Sequence, residues 1–229
     1  MKLHSSLRLL VALGLVAGGF NNTFAHESSG VTGEQALQRL KQGNARFVSG
    51  NLAESSPASI AAARRKVAEK QKPFAIIVGC SDSRVGPEVV FDQKLGDIFV
   101  IRTAGEVVDP VAQGSIEYAV AHLGAPLIVV LGHERCGAVS AAVSGAKEPG
   151  RIATVLNAIQ PAVRKSKGQP GDAVDNAVRA QAIEVATQLR NAGPILNKAV
   201  SEGKLKIVAA RYDLDTGKVT IIPVPLRKK

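Results

Sequence analysis

Two short apolar segments, each ending in a glycine and followed by potential metal ligands, constrain this fold more than any other feature. Residues 74–79 read Phe-Ala-Ile-Ile-Val-Gly, and residues 127–132 read Leu-Ile-Val-Val-Leu-Gly. Both are too short and too rich in β-branched residues for a helix, so they are typical of buried strands in a parallel sheet. Functional groups gather beyond the carboxyl ends of such strands. If the two strands are neighbours, one crevice receives four side chains, those of Cys80, Asp82, His133 and Cys136.

Strand and helix patterns alternate along the rest of the chain. Further strands are predicted at residues 97–102 and 206–210, and a turn at residues 215–217 leads into an edge strand at residues 218–222. Helices are predicted between them, with capping signals at Thr32, Ser56, Asp109 and Asp172. The pattern predicts an α/β fold, with a mostly parallel central sheet of four strands plus an antiparallel edge strand and helices on both faces.

The first 25 residues have the pattern of a signal peptide. Lys2 and Arg8 give a positive start, residues 9–20 are apolar but too short to span a bilayer, and Ala25 precedes the predicted cleavage site. We therefore expect export to a bacterial periplasm, with no stable membrane insertion after cleavage. Residues 26–229 then form a single domain. An uncleaved anchor is the alternative.

Composition argues against nucleic-acid binding. The formal net charge is +10, but the basic residues are scattered and form no long run. Aromatic residues are only 3% of the chain and there is no Trp, which leaves few side chains for base stacking. Hydrophobic residues make up 45%, enough for a sizeable core. A solvated basic surface explains the charge better than nucleic-acid binding does, and a weak attraction for small anions is compatible with it.

The spacing of the four candidate ligands favours zinc. In Cys80-x-Asp82 both side chains point the same way on an extended segment, and in His133-x-x-Cys136 both lie on one side of a turn into a helix. Two thiolates and an imidazole suit Zn²⁺ better than Mg²⁺ or Ca²⁺. Three protein ligands would leave an open catalytic position, whereas Asp82 as a fourth ligand would close the site. Arg84 could pair with Asp82 through a bidentate fork.

Two non-catalytic alternatives follow from the same residues. A closed zinc site could simply stabilise the fold, and an exported protein whose only cysteines are Cys80 and Cys136 could join them in a disulfide. In an open site, a zinc-bound hydroxide would be the nucleophile. Two thiolates cancel the metal charge and lower the pKa of bound water less than neutral ligands would, so an acceptor such as Asp82 becomes useful.

At these residues the chain resembles the β-class carbonic anhydrases. The family's two signatures are Cys-Ser-Asp-Ser-Arg at residues 80–84 and Gly-His-Glu-Arg-Cys-Gly-Ala-Val at residues 132–139, and residues 115–119 (Ser-Ile-Glu-Tyr-Ala) also look like it. The resemblance implies one zinc per chain on Cys80, His133 and Cys136, and reversible hydration of CO2 to bicarbonate and a proton. It implies an Asp82–Arg84 dyad in which the aspartate either orients the zinc water or moves onto zinc at lower pH.

The resemblance has further implications for assembly and substrate binding. It implies a homodimer or a dimer of dimers, with the N-terminal helices wrapping a partner subunit. Gln71 lies where the family has a substrate-contacting glutamine at the dimer interface, although it could equally be a surface residue at the end of a helix. Arg102 matches an arginine of an inhibitory bicarbonate pocket, but that pocket also uses a Trp, which this chain lacks. Thr103 and Glu106 differ from the family's usual Arg-Asn-Ala-Gly-Asn run.

Other functions remain open at this point. A related branch of the fold hydrolyses CO2-like molecules such as carbon disulfide, which is an alternative enzyme activity. A non-enzymatic alternative is a zinc-binding or redox protein without turnover. If Asp82 gates the site, activity should rise from neutral to alkaline pH. No histidine is assigned as a proton shuttle.

Overall fold

The computed structural model describes residues 29–225 and contains one five-stranded sheet with helices on both faces. The predicted signal peptide and its cleavage site lie outside the described residues. The strands are β1 (Ala75–Cys80), β2 (Ile98–Thr103), β3 (Leu127–His133), β4 (Lys206–Tyr212) and β5 (Val219–Ile222). The helices are α1 (Gly33–Val48), α2 (Pro57–Val67), α3 (Pro87–Val90), α4 (Pro110–Ala121), α5 (Gly137–Ser144), α6 (Ile152–Ser166), α7 (Ala173–Asn191) and α8 (Ile195–Ser201). A 3-10 turn follows β2 at Ala104–Glu106.

The strand order is β2-β1-β3-β4-β5, and only β5 is antiparallel to its neighbour. This confirms the predicted α/β class, the four parallel strands and the antiparallel edge. It also makes β1 and β3 neighbours, with Gly79 paired to Leu131. The two ligand-bearing strands therefore end side by side.

Alternating residues of the central strands build a core on each face of the sheet. Ile76 and Ile128 point to the face covered by α4, α7 and α8, while Ile77 and Val129 point to the face covered by α1 and α3. A third cluster surrounds the ligand cysteines and includes Ile159 of α6 and Val178 of α7. Burial of such side chains is worth about 1.5–3 kcal/mol each, so the strand ends are held firmly.

Local capping signals place the helices. Thr32 and Gln35 form the predicted capping box at the start of α1, and the side chains of Ser56, Asp109 and Asp172 cap α2, α4 and α7. Leu37 and Leu40 of α1 pack on this chain's own sheet. In α2 the buried residue is Ala63. Within residues 29–225, no helix combines the length and the apolar character that crossing a bilayer would require.

All four parallel strands end one or two residues later than predicted. Cys80 is the last residue of β1 and His133 is the last residue of β3, so both ligands belong to the strands rather than to the turns that follow. The reason is pairing with a neighbour, since Cys80 lies opposite Thr103 and His133 lies opposite Tyr212.

Candidate metal centre

Three of the four candidate ligands meet at the ends of β1 and β3. One ligand atom from each of Cys80, His133 and Cys136 lies within 4.8 Å of the other two, and all three residues are buried. Both cysteines are free thiols, and their Sγ atoms are 3.9 Å apart. Because a disulfide would place the sulfurs about 2.05 Å apart, the alternative of a Cys80–Cys136 disulfide is not what this structure contains.

The geometry of this group fits a zinc ion. Zn–S bonds of about 2.3 Å in a tetrahedral arrangement separate two sulfurs by about 3.8 Å, close to the distance between Cys80 and Cys136. The Nδ1 atom of His133 lies 2.9 Å from the Glu134 carbonyl oxygen, which can only accept, so Nδ1 carries the proton. Nε2 is then a free lone pair, and it is buried without a hydrogen-bond partner among residues 29–225. A metal ion would satisfy it.

The contact between the two thiols moves their pKa values in opposite directions. Their mutual hydrogen bond lowers the pKa of Cys80 to about 4, against the opposing effect of burial, and the N–H of Gly105 contributes in the same direction. The same contact and burial raise the pKa of Cys136. A bound metal ion would take the place of the thiol protons and stabilise both thiolates.

Asp82 lies beside this group but is paired with Arg84. Arg84 donates from Nε to Oδ1 at 2.9 Å and from Nη2 to Oδ2 at 2.7 Å, which is the predicted bidentate fork. This hydrogen bond is the main reason why the pKa of Asp82 lies well below its usual value. Oδ2 is 3.8 Å from Nε2 of His133. The carboxylate therefore faces the metal position as a charged acceptor, while three side chains form the ligand group.

Hydrogen bonds from arginine side chains to main-chain carbonyl oxygens hold the loop after β1 in place. The Arg102 guanidinium donates to the carbonyl oxygens of Cys80 at 2.9 Å and Asp82 at 2.6 Å. The residue that the family resemblance links to a bicarbonate pocket thus holds the Cys80–Asp82 segment here. Arg84 also reaches the Arg135 carbonyl oxygen at 3.3 Å and joins this loop to the one after β3.

The loop after β3 is anchored to the turn between β4 and β5. Arg135 has a left-handed backbone, with φ of 51°, and its guanidinium makes a bidentate pair with Asp215 at 2.7 and 2.8 Å. Glu134 accepts from the N–H of Leu214 at 3.1 Å. In the sequence, Glu134 and Arg135 stand out only as part of the signature around His133 and Cys136, and Asp215 only as a turn residue.

Gln71 lies away from the ligand group within this chain. It is exposed and lines a surface cleft with Tyr118 and His122, near the end of α4. Gln71 could therefore contact substrate only at the ligand group of another subunit.

Comparison with known proteins places these residues in a family. A family model described as carbonic anhydrase matches residues 75–219. Carbonic anhydrase 2 of Mycobacterium tuberculosis is 40% identical over 190 residues, which are 81% of this chain and 91% of that protein. The carbonic anhydrase of Mycolicibacterium smegmatis is 38% identical over the same shares of the two chains.

Solved structures show the same fold. A tetrameric β-carbonic anhydrase from Sordaria macrospora has a TM-score of 0.64 at 26% identity, covering 82% of this chain and 97% of that one. A Coccomyxa β-carbonic anhydrase in complex with acetazolamide has a TM-score of 0.60 at 28% identity, covering 81% and 86%.

Proposed function

The chain belongs to the β-class carbonic anhydrases, and on that premise we propose that Cys80, His133 and Cys136 hold its catalytic zinc, with Asp82 and Arg84 as the residues that act on the attacking water. As a member of this family it is a zinc enzyme that catalyses the reversible hydration of CO2 to bicarbonate and a proton. The observation that carries the residue assignment is a buried group at the ends of neighbouring strands, made of two thiols and one imidazole nitrogen that has no hydrogen-bond partner within residues 29–225.

Each of these side chains has a distinct task. When bound, zinc supplies the Lewis acidity that lets a water molecule attack CO2 near neutral pH. Asp82 accepts a hydrogen bond from that water and so orients it. Arg84 keeps the carboxylate ionised and fixes its direction through two parallel hydrogen bonds. Arg102 donates hydrogen bonds to the carbonyl oxygens of the same loop, which keeps the Asp82 carboxylate in position.

We also propose a homodimer or a dimer of dimers. The outer face of α4 exposes Val111 by 77% and Tyr118 by 48%, and α2 buries little of its own surface. Large exposed apolar side chains on one face favour a protein contact. Gln71 shares a cleft with Tyr118, so a partner docked on this face would bring its own Gln71 close to the interface. Light scattering coupled to size-exclusion chromatography tests the assembly, and a monomer would contradict it.

The proposed location is the periplasm, supported by the charge and apolar pattern of residues 1–25. Intact-mass measurement of the protein recovered from a periplasmic extract tests this. A chain that begins at His26 would support it, and a chain that begins at Met1 would contradict it.

The experiment that tests the enzyme site is elemental analysis for zinc paired with stopped-flow CO2 hydration, at neutral pH and at about pH 8.5. We expect one zinc per chain and turnover that chelation removes. Zinc without turnover at either pH would contradict the assigned catalytic roles. Protein without zinc would contradict the ligand assignment.

A further inference from the structure

A hydrogen-bond path connects helix α7 to the sulfur of Cys80. We propose that Gln181 is a positioning residue of the metal centre, which acts through Gly105 on the Cys80 thiolate. The inference rests on the proposed zinc site and adds to it a residue that touches neither metal nor substrate. Gln181 lies 101 positions beyond Cys80 in the chain, and no motif marks it.

Gly105 forms the near end of this path. Its backbone N–H donates to Cys80 Sγ at 3.3 Å. The residue is buried and has a φ of 61°, in the left-handed region that favours glycine. A Cβ at this position would lie 2.6 Å from Cδ1 of Ile159. Both the backbone conformation and the close approach of Ile159 therefore favour glycine where the chain delivers its N–H to the sulfur.

Gln181 forms the far end. Its side chain is 2% exposed, and Nε2 donates to the Gly105 carbonyl oxygen at 3.1 Å. Both main-chain polar groups of Gly105 are thus used, one on the metal ligand and one on α7. A buried carbonyl without this donor would lose its hydrogen bond, and the turn would shift to recover one.

The neighbouring residue Glu106 does not help to hold the turn, so the turn depends on the hydrogen bond from Gln181. Glu106 also has a left-handed φ, of 43°, and its side chain is fully buried. Neither of its carboxylate oxygens has a hydrogen-bond partner in the described part of the chain. Among residues 29–225, Gln181 is therefore the side chain whose hydrogen bond ties Ala104–Glu106 to α7.

The consequence for the metal centre is electronic as well as geometric. A hydrogen bond to a thiolate draws electron density from the sulfur, and partners outside the ligand group commonly change metal affinity by about 10–100-fold. Loosening the turn should lengthen the Gly105 N–H···Sγ contact. The Cys80 thiolate would then become more electron-rich, and the ligand group, no longer held by the turn, would be less well preorganised to bind the metal.

Gln188, which is exposed where Gln181 is buried, offers a control on the same helix. Its Nε2 donates to the Val108 carbonyl oxygen at 3.3 Å, so it makes the same kind of bond to the same segment without reaching the sulfur. The test compares Gln181→Met with Gln188→Met in the full chain. Cobalt(II) is placed in the site, and the thiolate-to-cobalt charge-transfer absorption is recorded. Zinc affinity is measured by competition with a chromogenic chelator.

We expect Gln181→Met to move the charge-transfer band to lower energy and to weaken zinc binding by about ten-fold, while Gln188→Met matches the wild type. If Gln181→Met does not fold, Gln181→Asn withdraws the amide by one methylene and should give the same shift. A wild-type spectrum and affinity in the folded Gln181 variant would overturn the inference, as would an equal shift in Gln188→Met. A wild-type protein without a thiolate-to-cobalt band would instead overturn the proposed site itself, and the inference with it.

Discussion

Asp82 and Arg84 are joined by three hydrogen bonds across a single intervening residue. The guanidinium makes the two parallel contacts at 2.9 and 2.7 Å, and the Arg84 backbone N–H donates to Oδ1 at 3.0 Å. The Asp82 side chain is 16% exposed, whereas that of Arg84 is 50% exposed. The arginine therefore lies between solvent and a carboxylate that faces the metal position. An acceptor held in this way is already oriented before substrate arrives.

Arg84→Ala should reduce turnover without removing zinc. The carboxylate would lose its two guanidinium contacts and its direction, and misplacement of a reacting group by about 1 Å can cost about 10²-fold. We expect kcat/KM for CO2 hydration to fall by about 10–100-fold, with zinc content unchanged by elemental analysis. Arg179→Ala is the control, because Arg179 also pairs with an aspartate, Asp175, at 2.8 Å. Loss of zinc in Arg84→Ala, or equal losses in both variants, would contradict the assigned role.

Cys136→Ser should remove both metal and activity. The substitution leaves two of the three ligands, and a neutral hydroxyl replaces a soft thiolate that zinc prefers. We expect zinc content near zero and no CO2 hydration above background. Ser140→Ala, one turn further along α5, is the control for a small change in the same helix. A Cys136→Ser protein that retains a full zinc complement would show that the metal binds elsewhere.

The fold could be read from the sequence because its signals are local. A capping box at Thr32 and Gln35 predicts the start of a helix, and five apolar residues before a glycine predict a strand, each from residues only a few positions apart. The ligand set could be read for the same reason, since Cys80 and His133 follow directly on such segments. Strand ends were less accurate, because pairing of His133 with Tyr212 extends β3 beyond the glycine that should have ended it.

The support of the site could not be read in this way. Gln181 looks like any polar residue of a long helix, and its contact with Gly105 spans 76 positions. Glu106 stands out in the sequence only as a departure from a family run, and nothing there predicts complete burial. Such contacts depend on how α7 packs against β3, β4 and the 3-10 turn after β2, which no short-range pattern encodes.

A buried carboxylate on the side of the sheet covered by α1 and α3 leads to a prediction about stability at acid pH. Asp92 is fully buried, and it accepts from Arg46 and from the backbone N–H groups of Ala53, Glu54 and Ser55. Burial alone would raise the pKa of Asp92, but the Arg46 guanidinium and these N–H groups outweigh it and hold the pKa below its usual value. The residue thus fastens the segment between α1 and α2 to the end of α3.

Asp92→Asn should lower the free energy of unfolding by about 2–3 kcal/mol at neutral pH, because the charged acceptor of several hydrogen bonds is lost. A depressed folded-state pKa contributes stability above the ordinary value of 3.8 and loses it as pH falls toward the folded-state pKa. The difference between variant and wild type should therefore be constant near neutrality and shrink only below that value. Urea unfolding across this range measures it. Asp97→Asn, which removes an acceptor with one side-chain partner, should cost less. A difference that grows on acidification would contradict the assignment.

For Glu106 we expect the opposite pH dependence, in which the free energy of unfolding falls as the pH rises. Burial is the main reason why the pKa of Glu106 lies well above its ordinary value of 4.5. Above that ordinary value the unfolded chain ionises this group while the folded chain keeps its proton, so the free energy of unfolding falls as pH rises toward the folded-state pKa. Glu106→Gln removes the titration and keeps the shape of the side chain. The variant should therefore gain stability relative to wild type as pH rises, which urea unfolding of the zinc-loaded proteins from weakly acidic to alkaline pH measures. Glu117→Gln is the control, because the Glu117 carboxylate already accepts from Gln113 at 2.9 Å. Parallel profiles for Glu106→Gln and wild type would show that Glu106 is ionised in the fold and has found a partner.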